Sequence, residues 1–181
     1  MYTNDIKEVM ISAEELAKRV GELGRQITED FKDKKFIAVC ILKGSTVFYA
    51  DLARQIDLDF EFDFLSLSSY GNSRSSSGIV RFRKDLDNDI RDKHVLLIED
   101  IMDSGQTLSY LSEILAARKP ASISICTLLD KPSRRKVSIT PDYRGFEIPD
   151  EFVVGYGLDY AEKYRNLPFI GILKPSAYGA E

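Results

Sequence analysis

The sequence has few of the residues on which several protein classes depend. Its 181 residues include two cysteines, one histidine and no tryptophan. Two thiols are too few for a disulfide framework or a four-ligand zinc site, and no His or Cys cluster supports a zinc enzyme. Because Cys40 and Cys126 both stand within apolar runs, we expect two buried, reduced thiols.

Long apolar runs and an excess of basic residues are also missing. The longest apolar stretch, Phe36–Leu42, has seven residues, whereas a transmembrane helix needs roughly 20. The 25 basic and 29 acidic residues give a net charge of −4, which disfavours nucleic-acid binding. The segment 1–5 is polar and lacks a signal-peptide core. We therefore expect a cytoplasmic protein with no nucleic-acid partner and no membrane partner.

The composition that is present predicts one packed domain, residues 1–181. Hydrophobic residues make up 44% of the chain, and nine tyrosines and ten phenylalanines exclude a disordered protein. A chain of this length is short for two domains.

Strand and helix patterns alternate through the middle of the chain. Ser12 and Glu15 have the spacing of a capping box before a helix whose apolar stripe reaches Phe31. This alternation predicts an α/β fold with a mostly parallel central sheet flanked by helices. A small hood subdomain is expected from the strands after residue 59 and the carboxy-terminal segments. The other predicted helices are 46–56 and 107–118, and the predicted strands are 36–42, 60–64, 79–82, 95–98, 122–129, 152–156 and 169–173.

A Ser-rich segment interrupts this pattern. Residues 68–78 contain six serines and two glycines, too little apolar surface to remain ordered by themselves. We expect a mobile loop that closes over the site as a lid, with Ser69 and Tyr70 at its start.

Three carboxylates follow the apolar strand 95–98. Glu99, Asp100 and Asp103 lead into a turn and a helix, whose first N–H groups form a ready phosphate site. An ordinary turn with Asp103 or Ser104 as the N-cap explains only one acidic residue. Clustered carboxylates repel each other and phosphate, so a polyhydroxylated or cationic ligand must reconcile them, and a ribose with Mg²⁺ would do so.

The segment 95–108 closely resembles the phosphoribosyl-pyrophosphate signature of the type I phosphoribosyltransferases. The resemblance implies that fold. It also implies that Glu99 and Asp100 bind the ribose hydroxyls, partly through Mg²⁺. The 5′-phosphate would be bound by the residues of the turn, namely Asp103, Ser104, Gly105, Gln106 and Thr107.

Lys43 and Gly44 end the first core strand and suit an anion. A solvated lysine at a turn explains the pair equally well when it is considered alone. In the family a matching segment binds pyrophosphate through its backbone, so the resemblance implies this role here.

Three further segments are similar to the family branch that acts on 6-oxopurines: 69–71, 129–132, and 152–160 with the residues up to Leu167. The match runs through roughly residues 5–173. It implies that Lys131 donates to the purine O6, that Phe152 stacks on the ring and that the Val153 backbone reads its edge. The remaining implied roles are a second Mg²⁺ near the purine for Asp159, pyrophosphate binding for Arg165 and general-base catalysis at N7 for Asp103.

The implied activity is purine salvage by a pentosyltransferase. It would move the 5-phosphoribosyl group from phosphoribosyl pyrophosphate to N9 of hypoxanthine or guanine in a homodimer or homotetramer. Two alternatives remain open: a regulator that only senses phosphoribosyl pyrophosphate, and a transferase for adenine, xanthine or uracil. The basic segment 133–136 is interpreted as a solvated loop near the base pocket, with an oligomer contact as its alternative.

Overall fold

The computed structural model of the chain describes residues 2–69 and 80–179. Strands and helices alternate along most of this length. The strands are β1 (Ile6–Ile11), β2 (Phe36–Leu42), β3 (Glu61–Ser69), β4 (Val80–Lys84), β5 (His94–Met102), β6 (Ser122–Asp130), β7 (Tyr143–Glu147), β8 (Val153–Val154) and β9 (Ile170–Leu173). The helices are α1 (Ala13–Asp30), α2 (Thr46–Ala53), α3 (Gln106–Ala116) and α4 (Pro175–Tyr178), with 3-10 helices at Tyr2–Asp5 and Pro132–Arg134.

Six strands form the central sheet in the order β4-β3-β2-β5-β6-β7. Every neighbouring pair is parallel except β3 and β4. The carboxyl ends of β2, β5 and β6 therefore meet at one edge of the sheet. This arrangement confirms the predicted α/β fold with a mostly parallel sheet.

Helices cover both faces of this sheet. Alternate residues of β2 point to opposite sides, so Ala38 and Cys40 share a core with α1 and α2, whereas Ile37 and Val39 share one with α3. Cys40 and Cys126 are both buried and free, as predicted. None of the described helices combines the length and apolarity that a membrane crossing requires.

The helix boundaries follow local hydrogen bonds. The capping box before α1 is confirmed, because the Glu15 N–H donates to Ser12 Oγ and the Ser12 N–H donates to Glu15 Oε2. Helix α2 ends at Ala53, earlier than the predicted residue 56, because the Gln55 N–H donates to the Leu52 carbonyl in a tighter turn. The N-cap of α3 is Gly105, so neither Asp103 nor Ser104 caps the helix as the ordinary-turn alternative requires.

The predicted hood is a second, three-stranded sheet in the order β1-β9-β8, and all its pairs are antiparallel. Its strands come from both ends of the chain, and Ile11, Val153 and Ile170 belong to the same core as α1 and α2. Strands β3 and β4, which follow residue 59 and were expected in the hood, are not part of it. They extend the central sheet, because β3 pairs with β2 along six consecutive residue pairs.

Candidate active site

Three chain segments touch at the carboxyl edge of the sheet. Gly44 lies so close to Asp100 that a Cβ atom on Gly44 would overlap the Asp100 Oδ2 atom. Gly157 packs against the Gly44 carbonyl oxygen in the same way, and its φ of 105° is a conformation that L side chains rarely adopt. The segments predicted to bind pyrophosphate, ribose and purine are therefore in direct contact.

Glu99 and Asp100 lie inside β5, which runs to Met102 and so extends beyond the predicted residue 98. The Asp100 N–H donates to Glu99 Oε1 (3.1 Å), and the Ile101 N–H donates to Asp100 Oδ1 (2.6 Å). Burial raises the pKa of Glu99 well above its ordinary value, and the adjacent Asp100 charge raises it further. Burial also raises the pKa of Asp100. A cation or several hydroxyl donors would relieve this cost.

The turn between β5 and α3 lines a cavity of about 170 Å³. Gly105, with a φ of 77°, brings the backbone into the helix, and the Gln106 N–H lies 3.4 Å from Ser104 Oγ. Gln106 begins α3, and its side chain is exposed. The predicted site residues that line the cavity are Glu99, Asp100, Asp103, Ser104, Gly105 and Thr107. An enclosure of this size beside free helix N–H groups suits one phosphate group.

A larger cavity of about 460 Å³ opens beside this turn. It brings together the four predicted residues Asp103, Lys131, Phe152 and Val153. The other residues that line it were not named individually as site residues, although Ile101, Arg134 and Leu158 lie in segments that the sequence singled out: Ile101, Arg134, Asp150, Glu151, Leu158 and Tyr178. The cavity combines apolar walls with a few charged groups, as sites for small organic ligands do.

Lys131 points into the protein and is 6% exposed, so it is not a solvated surface lysine. Its Nζ atom donates to the Glu151 carbonyl (2.7 Å) and lies 3.9 Å from Asp103 Oδ1 and 3.8 Å from Asp150 Oδ1. The Asp103 Oδ1 atom is buried and has no hydrogen-bond partner among the described residues. The same Asp103 Oδ1 atom lies 3.8 Å from Arg134 Nε, so it is within ion-pair distance of two cations at the cavity wall.

One residue of the basic segment 133–136, Arg134, lines this cavity. Arg134 pairs with Asp150 (3.1 Å). Arg135 donates to the Asp103 carbonyl (2.6 Å) and pairs with the buried Asp130. The segment is therefore tied to the turn that carries Asp103, and two of its arginines are not free in solvent.

Lys43, Asp159 and Arg165 meet in a charged cluster around Glu162. Glu162 lies 3.2 Å from Lys43 Nζ and 3.5 Å from Arg165 Nη2. Arg165 also pairs with Asp159 (2.8 Å) and donates to the Gly157 carbonyl (2.8 Å). The two predicted anion-binding cations thus lie near each other, beside Gly44.

The three residues expected to hold metal are not brought together as one cage. In residues 2–69 and 80–179, no group of three or more His, Cys, Asp and Glu side chains is arranged to hold a metal ion. Asp159 is paired with Arg165, whereas Glu99 and Asp100 remain adjacent in β5. Of the two predicted lid residues, Ser69 is the last residue of β3 and Tyr70 lies outside the described residues.

The comparisons with known proteins agree with this geometry. The profile of the phosphoribosyl transferase domain matches residues 10–161, and the chain belongs to the phosphoribosyltransferase family. It is 56% identical over 178 residues to the hypoxanthine-guanine phosphoribosyltransferase of Bacillus subtilis (strain 168), a match that covers 98% of this chain and 99% of that protein. It is 55% identical over 166 residues to the hypoxanthine phosphoribosyltransferase of Escherichia coli (strain K12), covering 91% and 93%.

A solved structure extends the likeness to three dimensions. The crystal structure of a hypoxanthine phosphoribosyltransferase from Staphylococcus aureus superposes with a TM-score of 0.95 at 50% identity, over 97% of this chain and 96% of that one. The predicted type I phosphoribosyltransferase fold is therefore confirmed.

Proposed function

We propose that this chain transfers the 5-phosphoribosyl group of phosphoribosyl pyrophosphate to N9 of hypoxanthine or guanine. The products would be IMP or GMP and pyrophosphate, a purine salvage reaction. The observation that carries the proposal is the buried Lys131 ammonium in the large cavity. This cavity lies directly beside the smaller, phosphate-sized cavity at the turn between β5 and α3. The names of the most similar relatives support the same base and the same sugar donor.

The base would be chosen by Lys131. An ammonium has donors only, so it suits an acceptor oxygen at purine C6 and opposes the amino group of adenine. The Glu151 carbonyl and the nearby Asp103 and Asp150 carboxylates keep this cation buried without leaving its charge unpaired. Phe152 lines the same cavity and supplies a ring face for the purine.

Proton transfer would fall to Asp103. Its Oδ1 atom accepts no hydrogen bond from the described residues and lies 3.9 Å from Lys131 Nζ and 3.8 Å from Arg134 Nε. As N9 bonds to C1 of the ribose, the C1–O bond breaks, pyrophosphate leaves with the electron pair, and Asp103 accepts the proton from N7. The positive charge that develops on the ribose lies near the Glu99 and Asp100 carboxylates, which favours the transition state.

The carboxylates of β5 fit Mg²⁺. Two adjacent acidic groups with raised pKa values are the oxygen donors that this ion prefers, and it ordinarily completes its shell with water and substrate oxygens. When bound, the ion would neutralise charge on the departing pyrophosphate. Glu99 and Asp100 would hold it, and the Gly44 backbone with Lys43 and Arg165 would bind the pyrophosphate itself. A second ion at Asp159 would require that the ion pair between Arg165 and the Asp159 carboxylate break.

One assay tests the activity. The protein is mixed with Mg²⁺ and phosphoribosyl pyrophosphate and with hypoxanthine, guanine, xanthine, adenine or uracil in turn, and nucleotide formation is followed by absorbance. Product from hypoxanthine or guanine, with little from adenine, is the expected result. Binding of phosphoribosyl pyrophosphate without product from any base would favour a sensor instead. A cytoplasmic location and a homodimer or homotetramer remain predictions, to be checked by fractionation and by light scattering.

A further inference from the structure

The carboxy-terminal helix α4 contributes a ring to the proposed purine cavity. Tyr178 lines this cavity, and its ring lies against the Phe152 ring with a centroid separation of 4.9 Å and an interplanar angle of 22°. Tyr160 meets the Phe152 ring edge-on at 5.7 Å and 87°. The aromatic side chain that is expected to stack on the base is therefore fixed by two other aromatic rings.

The path of the chain explains why Tyr178 reaches this place. The Leu173 N–H donates to the Phe152 carbonyl (2.8 Å), so the end of β9 is tied to Phe152 itself. Pro175 then opens α4, and Gly179, with a φ of 73°, ends it after a single turn. Tyr178 packs against the buried hood residues Val154 and Leu173.

Phe152 remains 40% exposed although Tyr178 covers one of its faces. An aromatic ring has two faces, and the face of Phe152 opposite Tyr178 is the one on which a planar ligand in the cavity would stack. Stacked or edge-on aromatic pairs contribute beyond the area that they bury, because the ring orientation is fixed. A fixed Phe152 ring loses less conformational entropy when a base stacks on it.

We propose that Tyr178 is a positioning residue for the purine: it holds the Phe152 ring so that the bound base completes a stack of three rings. The proposal rests on the proposed stacking of the base on Phe152. It assigns a role in base binding to the last helix of the chain, outside the signature segments. The ring of Tyr178 pairs with those of Phe152 and Tyr160, and neither of these residues is assigned to phosphoribosyl pyrophosphate.

The test compares Tyr178→Ala and Tyr178→Phe with Ser176→Ala, an exposed control on the same helix. KM for hypoxanthine, KM for phosphoribosyl pyrophosphate, kcat and the unfolding temperature are measured for each. Loss of one aromatic pair should raise the hypoxanthine KM about 2- to 10-fold. In Tyr178→Ala, the KM for phosphoribosyl pyrophosphate should stay within twofold of its value in the unsubstituted protein, a difference of roughly 0.4 kcal/mol. Tyr178→Phe and Ser176→Ala should have the same KM values as the unsubstituted protein.

Three results would overturn the proposal. They are an unchanged hypoxanthine KM in Tyr178→Ala, an equal rise in both KM values, and a lower hypoxanthine KM, which would mean that Tyr178 occupies the place of the base. Phe152→Leu separates this proposal from the proposed function. If Phe152→Leu raises the hypoxanthine KM and Tyr178→Ala does not, only the positioning role fails. If Phe152→Leu leaves it unchanged, the proposed stacking fails as well.

A spectroscopic measurement serves if Tyr178→Ala folds poorly. The sequence has no tryptophan, so Phe152→Trp introduces a single tryptophan, which reports by its fluorescence on the stacking position. Adding Tyr178→Leu to this variant should increase the rotational freedom of the indole and lower its fluorescence anisotropy, with weaker quenching by hypoxanthine. An anisotropy and a quenching curve that do not change would contradict the positioning role.

Discussion

At the scale of single residues, the chemistry of this protein depends on ionisable groups whose burial makes their charged forms energetically unfavourable. Lys131 is a buried cation, and Glu99 and Asp100 are adjacent carboxylates whose charged forms burial disfavours. Such groups persist where a ligand or a fixed partner compensates them. Substitutions at these positions should therefore change binding more than they change the fold.

Lys131→Gln should raise the apparent KM for hypoxanthine and guanine together, because both bases carry the O6 atom. A hydrogen bond from a charged donor is worth roughly 1.5–3 kcal/mol, or about 10- to 150-fold. The KM for phosphoribosyl pyrophosphate should change little. Kinetics with each substrate varied separately check this, with the exposed Lys136→Gln as the control. A defect confined to phosphoribosyl pyrophosphate would contradict the assignment to O6.

Gly44→Ala should lower kcat/KM by about 10²-fold, the usual effect of displacing a site by roughly 1 Å. The added Cβ atom would overlap Asp100 Oδ2, so either the carboxylate or the pyrophosphate segment must move. Gly21→Ala is the matched control, because its Cβ would meet only ordinary contacts, at 3.6 Å from Arg25 and 3.7 Å from Gln55. Circular dichroism should show both variants folded. Full activity in Gly44→Ala would mean that the contact with Asp100 is not part of the site.

At the scale of elements, strand β3 is fastened to the segment before β5 through one buried side chain. Asp63 is 1% exposed and accepts hydrogen bonds from the N–H groups of Phe64, Asp87 and Asn88 and from the Asn88 side chain. Burial alone would raise the pKa of Asp63, but these hydrogen bonds favour the carboxylate and the pKa is lowered overall.

Asp63→Asn should lower the free energy of unfolding by about 1.5–3 kcal/mol at neutral pH, because an amide cannot accept all of these bonds. A lowered pKa in the folded state gives stability that is present above the unfolded value, near 3.9, and is lost as the pH falls through the folded value. The difference between the two proteins should therefore shrink below about pH 3.9. Urea denaturation from pH 7 to pH 3 measures it, with the exposed Asp59→Asn as control. A difference independent of pH would contradict this role.

Sequence patterns predicted the elements with strong signals and missed the weak ones. The bounds of β2 were predicted correctly because all seven of its residues are apolar. Strands β1 and β7 were missed, since Lys7, Glu8 and Arg144 interrupt any alternation of apolar and polar residues. In the site, the segments with sequence signatures were found. Asp150 and Tyr178 were not, because they reach the cavity through the folding of a loop and the chain end, which no local pattern records.

At the scale of the whole molecule, the hood and the central sheet share one core. Ile11 of β1 and Ile170 of β9 are buried with residues of α1, β2 and β6. Arg19 of α1 donates to the carbonyl groups of Arg144 and Gly145, which fastens the helix to the edge strand β7. No large solvated boundary separates the two sheets in the part of the chain described here.

Heat should therefore unfold the protein in one cooperative transition. Differential scanning calorimetry checks this, because a two-state transition has equal calorimetric and van't Hoff enthalpies. Two resolved peaks, or a hood that melts first while the sheet persists, would contradict the prediction of one domain over residues 1–181. The measurement is best made at low protein concentration, so that dissociation of any oligomer is not mistaken for a second unfolding step.

The hood sheet also assembles late during synthesis of the chain. Strand β1 is made long before its partner in the sheet, β9, which contains Ile170–Leu173. At roughly 5–20 residues per second, β1 waits on the order of 10–30 s on the ribosome before that partner emerges. The central sheet has all of its strands by Glu147. A prematurely terminated product would contain the sequence of the phosphate turn but lack Tyr178 and the hood residues of the shared core, so it is expected to have no base pocket and a destabilised sheet.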